Sequence, residues 1–165
     1  MRAAERPIHV VTAPGVARIA RPDSVLFACT RNAIRSPMAE GLLKALHPQR
    51  IYVDSVGVRE GEVDGFAIAV MAEIGIDISG HRAKTFEQLQ DTYFDLIVTL
   101  SPEAQHSAVE LTRTMACDVE LWPTVDPSIV EGSREVRLEA YRQVRDQLRR
   151  RIGARFPVEP APELT

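Results

Sequence analysis

The amino-acid sequence predicts an α/β domain of three layers, in which a central, mostly parallel sheet of four strands is flanked by helices. Four short apolar runs are spaced along the chain, and such runs are typical of strands buried on both faces. The segments between them repeat apolar side chains at spacings of three and four, the pattern of helices with one buried face. Strands that alternate with helices favour a parallel sheet covered on both sides.

The strands are predicted at positions 24–28, 51–55, 94–100 and 119–122. Five helical segments accompany them, and each has a sequence signal for its start, its end or its buried face. Ser36 followed by Pro37 predicts an N-cap and a first helical turn. That helix ends at Pro48. The others are a helix over 63–74 that stops at Gly75, a short helical stretch around Phe86 and Leu89, a helix over 102–112, and a long final helix marked by Leu138, Tyr141, Val144, Leu148 and Ile152.

The composition is that of a single globular domain. A length of 165 residues fits one domain, and 45% hydrophobic with 26% charged residues excludes a chain that is disordered as a whole. The 20 basic and 23 acidic residues give a net charge of -3. This balance excludes a whole-surface attraction to nucleic acid or anionic lipid, so any anion site must be local.

We divide the chain into an N-terminal extension over 1–23, a domain over 24–155 and a flexible, proline-rich tail over 156–165. Two cysteines are too few for a disulfide framework or a structural zinc site, which favours a reducing compartment. No apolar run approaches 18 residues. We therefore expect a cytoplasmic protein that does not bind membranes, and we find no motif for a metal or cofactor.

The loop after the first strand combines three features that favour an anion. In open parallel sheets the ligand lies at the carboxyl ends of the strands, and Cys29 stands there, with Arg35 six residues later. Backbone N–H groups at a helix amino terminus attract a tetrahedral oxyanion, and a guanidinium can bind two of its oxygens. Because the same positive field stabilises a thiolate, we expect a nucleophilic cysteine that faces a bound oxyanion.

After Arg35 and Ser36 the chain continues Pro-Met-Ala-Glu over 37–40. The whole form, Cys-x5-Arg-Ser-Pro-Met-Ala-Glu, resembles the phosphate loop of the low-molecular-weight protein tyrosine phosphatase family. The likeness covers roughly residues 24–155. It continues through Asp54-Ser55-Val56-Gly57, Gly75-Ile76-Asp77, His81-Arg82, Asp95-Leu96-Ile97-Val98-Thr99 and Asp126-Pro127. This resemblance implies the phosphotyrosine protein phosphatase I-like fold.

The resemblance also implies a phosphomonoesterase that forms a phosphocysteine, acting on a phosphorylated protein or a small phosphomonoester. Cys29 would be the nucleophile, Arg35 would hold the equatorial oxygens, and Ser36 would donate its hydroxyl to the sulfur. Asp126 would act as general acid and then as general base. Phosphate or sulfate would bind in the loop, whose remaining members are Thr30, Arg31, Asn32, Ala33 and Ile34.

Asn32 would also shape the loop, since asparagine tolerates a left-handed backbone better than most residues. In the family a serine and a histidine support this asparagine, and Ser55 and His81 match their positions. Neither would be a metal ligand.

Four positions depart from the family pattern. Arg31 stands where the family usually has glycine. It either projects outward and recruits acidic or multiply phosphorylated substrates, which we expect, or folds onto the helix and only fills space. Ile34 replaces the cysteine that can trap an oxidised nucleophile, so we expect less reversible oxidation of Cys29. Ser128 and Ile129 follow the Asp-Pro where tyrosine-specific members carry tyrosines, which argues against phosphotyrosine as the natural substrate.

Two other functions stay open. Thioredoxin-coupled arsenate reductases share the fold, but they need further cysteines after the third strand, and residues 101–107 contain none. An arsenate reductase that uses a small external thiol is still compatible with the sequence, as is a phosphate-binding module with little turnover. Nucleic acid is not an expected partner, since the arginines of the last helix are interleaved with Glu135, Glu139 and Asp146. We expect a monomer or a weak dimer.

Overall fold

The computed structural model describes residues 9–12, 19–90 and 93–159. Its strands are β1 (His9–Thr12), β2 (Ser24–Cys29), β3 (Tyr52–Gly57), β4 (Leu96–Thr99) and β5 (Asp118–Leu121). Its helices are α1 (Arg35–Leu46), α2 (Gly65–Ala72), α3 (Pro102–Leu111) and α4 (Arg134–Arg155), with a 3₁₀ turn at Pro127–Ile129. Within these ranges no helix is long and apolar enough to cross a membrane.

The four predicted strands are confirmed as a parallel sheet in the order β5-β4-β2-β3. The sheet has a fifth strand that the sequence analysis missed, because β1 pairs antiparallel with β5. Residues 9–12, predicted as part of an irregular extension, therefore belong to the sheet. A run of four residues between prolines is too short to show a periodic pattern. It forms a strand because its backbone pairs with the edge of β5, a contact that the local sequence does not reveal. The rest of 1–18 lies outside the described residues.

The core lies on both faces of the sheet, which gives the predicted three layers. Alternate residues of β2 point to opposite sides, as the strand period requires. Val25 and Phe27 pack with α1, α2 and α4, whereas Leu26 and Ala28 pack with α3. Trp122 is 2% exposed and contacts Phe27.

Three local predictions are wrong. The stretch around Phe86 and Leu89 forms a turn instead of a helix, because Leu89 N–H bonds only three residues back. Ser36 is not the N-cap, since α1 begins at Arg35 with Ile34 as its cap. Phe156, placed in the flexible tail, is 1% exposed and packs against Trp122. Residues 160–165 of that tail lie outside the described ranges.

Candidate active site

The loop over residues 30–34 joins the carboxyl end of β2 to the amino end of α1. Its backbone packs tightly on the segment that follows β3, and a Cβ on Gly57 would lie 2.6 Å from the carbonyl carbon of Arg31. Three loop carbonyls, those of Cys29, Thr30 and Ala33, accept hydrogen bonds from backbone amides of residues 58–64. These bonds occupy the carbonyl oxygens, the groups of the loop that would repel an anion.

The buried side chain of Asn32 fixes the shape of the loop through hydrogen bonds. It is fully buried and has a φ of 56°, the left-handed conformation that asparagine tolerates. Its Oδ1 accepts from the backbone N–H of Lys84 at 3.0 Å. Since a backbone N–H can only donate, this bond fixes which end of the amide is oxygen. The Nδ2 group must therefore donate to Ser36 and Ser55, both at 2.9 Å.

This orientation of Asn32 leaves the Ser36 hydroxyl hydrogen for another acceptor. The Oγ of Ser36 lies 2.9 Å from the Sγ of Cys29 and 3.4 Å from the carbonyl oxygen of Val56. The shorter contact allows Ser36 to donate to a sulfur anion, which is a stronger acceptor than a neutral thiol. Ser36 does not cap α1, because its hydroxyl bonds to this network. A serine before a proline predicts an N-cap, but here the serine hydroxyl contacts the Cys29 sulfur instead of a backbone amide of the helix.

His81 supports Asn32 in its neutral form. Its Nε2 lies 2.9 Å from the Oδ1 of Asn32, so Nε2 carries the proton in this hydrogen bond. Burial lowers the pKa of His81, and the charge of Lys84 acts in the same direction. Glu40, whose carboxylate accepts from Ser55 at 2.5 Å and lies 3.8 Å from the His81 Nδ1, opposes that shift.

Arg35 connects the loop to the segment that carries Asp126. Its Nη1 donates to the carbonyl oxygen of Thr124 at 3.0 Å, and its Nη2 lies 3.4 Å from the hydroxyl of Thr30. The hydroxyl of Thr30 donates in turn to Ser101, the N-cap of α3. The guanidinium is thus held at the mouth of the loop with donors left over for an oxyanion.

A cleft of about 420 Å³ brings Cys29, Arg35 and Asp126 together. Asp126 precedes the 3₁₀ turn, and its Oδ1 accepts from the amide and the hydroxyl of Ser128. Thr30, Arg31, Ala33 and Ile34 also line the cleft, as do Gly61, Glu62, Asp64 and Ser128. Asn32, predicted to bind substrate, instead directs its side chain into the supporting network, along with Ser36, Ser55 and His81.

The lining contains no aromatic side chain among the described residues. Trp122 lies in the core and does not contribute a wall. The described part of the chain also holds no group of three or more histidine, cysteine or acidic side chains placed to bind a metal. Within this described lining a phenyl ring therefore has no aromatic side chain to stack on.

Cys117, the second cysteine, is fully buried away from the cleft. Burial, with a smaller contribution from Asp118, raises the pKa of Cys117 to about 11. Its thiol therefore stays protonated at neutral pH and is not a nucleophile.

Sequence analysis missed several groups that complete the site. Glu40 ends the Pro-Met-Ala-Glu motif, but its position in the motif did not predict that it accepts a hydrogen bond from Ser55. Ser101 and Thr124 act through contacts between distant segments, and Lys84 acts through its backbone, which no residue type reveals. Glu62 and Asp64 are visible in the sequence as acidic residues that follow β3, but no sequence pattern predicted that they line the cleft.

Comparison with known proteins agrees with this geometry. The family model for low molecular weight phosphotyrosine protein phosphatase matches residues 24–155. The chain belongs to this family. Its sequence is 36% identical over 129 residues to the glutaredoxin arsenate reductase of Synechocystis sp., a match that covers 78% of this chain and 92% of the relative. The family resemblance and the fold expected from the sequence are both confirmed.

The solved structures that align with this chain include an arsenate reductase and a protein tyrosine phosphatase. An arsenate reductase in its phosphate-binding state aligns with a TM-score of 0.62 and 32% identity over 80% of this chain and 95% of that one. A low molecular weight protein tyrosine phosphatase from T. tengcongensis aligns with a TM-score of 0.65 and 30% identity over 78% and 94%. Both alignments extend over nearly the whole of the solved chains.

Proposed function

We propose that the chain is an arsenate reductase in which Cys29 is the nucleophile and an external thiol is the reductant. The observation that carries this proposal is the contact of 2.9 Å between the Cys29 Sγ and Ser36, at the base of a cleft with no aromatic side chain among the described residues. Such a cleft suits an inorganic oxyanion. The 36% identity to a glutaredoxin arsenate reductase over nearly its full length supports the same substrate.

In the first step the Cys29 thiolate attacks arsenic(V). A sulfur–arsenic bond forms, and one arsenic–oxygen bond breaks to release water after the departing oxygen takes up protons. Arg35 and the loop amides neutralise the charge on the remaining oxygens. Asp126 lines the same cleft and would supply a proton to the leaving oxygen.

In the second step an external thiolate attacks the sulfur of Cys29. A sulfur–sulfur bond forms, and the electron pair of the sulfur–arsenic bond stays on arsenic, which leaves as arsenite. A second external thiol then displaces Cys29 from the mixed disulfide. The external reductant is needed because residues 101–107 carry no cysteine and Cys117 is fully buried with a protonated thiol.

Phosphomonoester hydrolysis is the second candidate, and the position of Asp126 favours it. An acid that shares a cleft with the nucleophile can protonate an alkoxide or phenoxide and then activate water against a phosphocysteine. The absence of an aromatic side chain from the described lining weakens the case for phosphotyrosine, so a small phosphomonoester is the substrate that fits.

The test measures both reactions with the same protein. Arsenate reduction is followed with glutathione or dithiothreitol as reductant, and hydrolysis is followed by p-nitrophenol release from its phosphate ester. We expect thiol-dependent arsenite formation that is lost in Cys29→Ser, with ester hydrolysis slower than reduction. Hydrolysis without arsenite formation would assign the second candidate. Binding of phosphate with neither reaction would reduce the protein to a binding module and overturn both candidates.

A further inference from the structure

Two charged side chains at the mouth of the cleft are left without a role by the proposed reaction. Arg31 and Glu62 both line the cleft and both are exposed. Within the described residues neither side chain has an ion pair or a hydrogen-bond partner. As far as the described part of the chain shows, the cleft that contains Cys29 thus presents a cation and a carboxylate whose side chains are not bonded to other residues.

The other charges of the cleft are already committed. Arg35 is bonded to Thr124 and faces the oxyanion, and Asp126 is held by Ser128. Asp64 caps α2 through one oxygen, which accepts from the amides of residues 66 and 67. Its other oxygen accepts from the hydroxyl of Tyr141 at 3.2 Å.

The backbone of Arg31 is held in place by close packing against Gly61. A Cβ on Gly61 would lie 2.9 Å from the carbonyl oxygen of Arg31 and 3.1 Å from its Cβ. Arg59, a cation close in sequence to Gly61, is paired with Glu103, to which it donates hydrogen bonds at 2.5 Å and 3.3 Å. Of the two arginines in the described lining, Arg31 is therefore the one whose side chain is bonded to no other described residue.

The cleft is larger than its first substrate requires. A tetrahedral oxyanion has five heavy atoms, whereas about 420 Å³ lies in the range of sites that hold ligands of the size of a tripeptide or a drug. The cleft therefore has room for a second molecule beside the oxyanion, and Arg31 and Glu62 are the exposed charged side chains that such a molecule would meet.

We infer that Arg31 and Glu62 form the binding site of a small zwitterionic thiol derived from an amino acid. Its carboxylate pairs with Arg31, its ammonium group pairs with Glu62, and its sulfur approaches Cys29. Glutathione has this chemistry. The inference rests on the proposed function, because it identifies the class of thiol that completes the reaction.

The test uses a reaction that does not involve arsenate. The Cys29 thiolate attacks one sulfur of a disulfide, a new sulfur–sulfur bond forms, and the other half leaves as a thiolate. We compare the rate constants for oxidised glutathione, which carries ammonium and carboxylate groups, and for bis(2-hydroxyethyl) disulfide, which is neutral. Mass spectrometry of the peptide that contains Cys29 follows both reactions.

We expect the ratio of the two rate constants to fall by up to about fivefold in Arg31→Gln and in Glu62→Gln, the upper end of the effect of one exposed ion pair. The reversal Arg31→Glu should lower the ratio further. Arg113→Gln, which removes a cation from an exposed i,i+3 pair away from the cleft, is the matched control and should keep the wild-type ratio. Equal ratios in all variants would overturn the inference.

The same variants separate this inference from the proposed function. If the wild-type protein forms arsenite with neither glutathione nor dithiothreitol, the proposed function fails, while the disulfide ratios still report on the thiol site. O-phosphoserine offers the same ammonium and carboxylate on a phosphate ester. If Arg31→Gln weakens O-phosphoserine hydrolysis relative to phenyl phosphate but leaves the disulfide ratio unchanged, the zwitterion is a phosphorylated amino acid and the thiol assignment is wrong.

Discussion

Asn32 shows how one buried amide can organise a reactive centre. Its oxygen is bonded to Lys84 and His81, so its nitrogen donates to Ser36 and Ser55. The role of Ser36 towards Cys29 follows from that one orientation. Sequence could predict the left-handed backbone of Asn32 and the identity of its two family partners. It could not predict the direction of each hydrogen bond, which depends on a backbone amide more than 50 residues away.

Replacing Ser36 with alanine tests the donor to the Cys29 sulfur. A hydrogen bond to a charged group is worth about 1.5–3 kcal/mol, so its loss removes stabilisation of the attacking sulfur. Alkylation of Cys29 by iodoacetamide at neutral pH should slow by about tenfold or more. Ser133→Ala, which removes the hydroxyl cap of α4, is the control and should alkylate at the wild-type rate. A Ser36→Ala protein with unchanged reactivity would exclude this contact as the source of activation.

At the scale of elements, the boundaries were harder to predict than the elements themselves. All four helices and the four parallel strands were predicted from periodicity and buried runs. The predicted start of α1 was wrong because serine is a residue type that often caps helices, whereas Ser36 lies inside the helix and contacts the Cys29 sulfur. The turn around Phe86 was taken for a helix because its two apolar side chains have helical spacing, although its backbone bonds to Gly57.

The end of β3 is predicted to tolerate no side chain at position 57. A Cβ on Gly57 would lie 2.6 Å from the backbone of both Arg31 and Asn32, and backbone atoms cannot move aside cheaply. Gly57→Ala should cost about 1–3 kcal/mol in urea unfolding and should displace the loop, which slows Cys29 alkylation.

Gly65→Ala provides the matched control for that substitution. Nothing lies within 4 Å of a Cβ at Gly65, the first residue of α2. The change should be neutral or stabilising by up to about 1 kcal/mol, because it restricts the unfolded chain. Equal unfolding free energies and alkylation rates for the two alanine variants would show that the loop does not depend on the close packing of its backbone against Gly57.

At the scale of the whole molecule, the sheet order brings together groups from distant parts of the chain. Cys29 ends β2, and Asp126 follows β5 at the same edge of the parallel strands. Sequence could predict this meeting, because carboxyl ends of parallel strands share one edge. The antiparallel β1 and the burial of Phe156 could not be predicted, since both depend on surfaces that exist only after folding. The oligomeric state stays a prediction.

The stability of the whole molecule should fall in mild acid because of His81. Its pKa is lower in the folded protein than its ordinary value of 6.5. As the pH drops below about 6.5, the unfolded chain therefore binds the proton first, and the folded state loses stability until the folded pKa is passed. The slope for one such histidine is at most about 1.4 kcal/mol per pH unit.

Urea unfolding at pH 7.5 and pH 5.5 measures this loss. His81→Gln keeps a donor for Asn32 and cannot titrate, so its unfolding free energy should change less between the two pH values than that of the wild type. His106→Gln, at an exposed site on α3, should behave like the wild type. An equal pH dependence in all three proteins would mean that His81 is not held neutral by burial.

The most direct measurement is the covalent state of Cys29 after one turnover. The reduced protein is mixed with arsenate and one equivalent of glutathione, quenched with acid and analysed by peptide mass spectrometry. The proposed reaction predicts one glutathione on Cys29, formed only when arsenate is present, and an unmodified Cys117. A disulfide between Cys29 and Cys117, or a glutathione adduct that forms equally without arsenate, would contradict it.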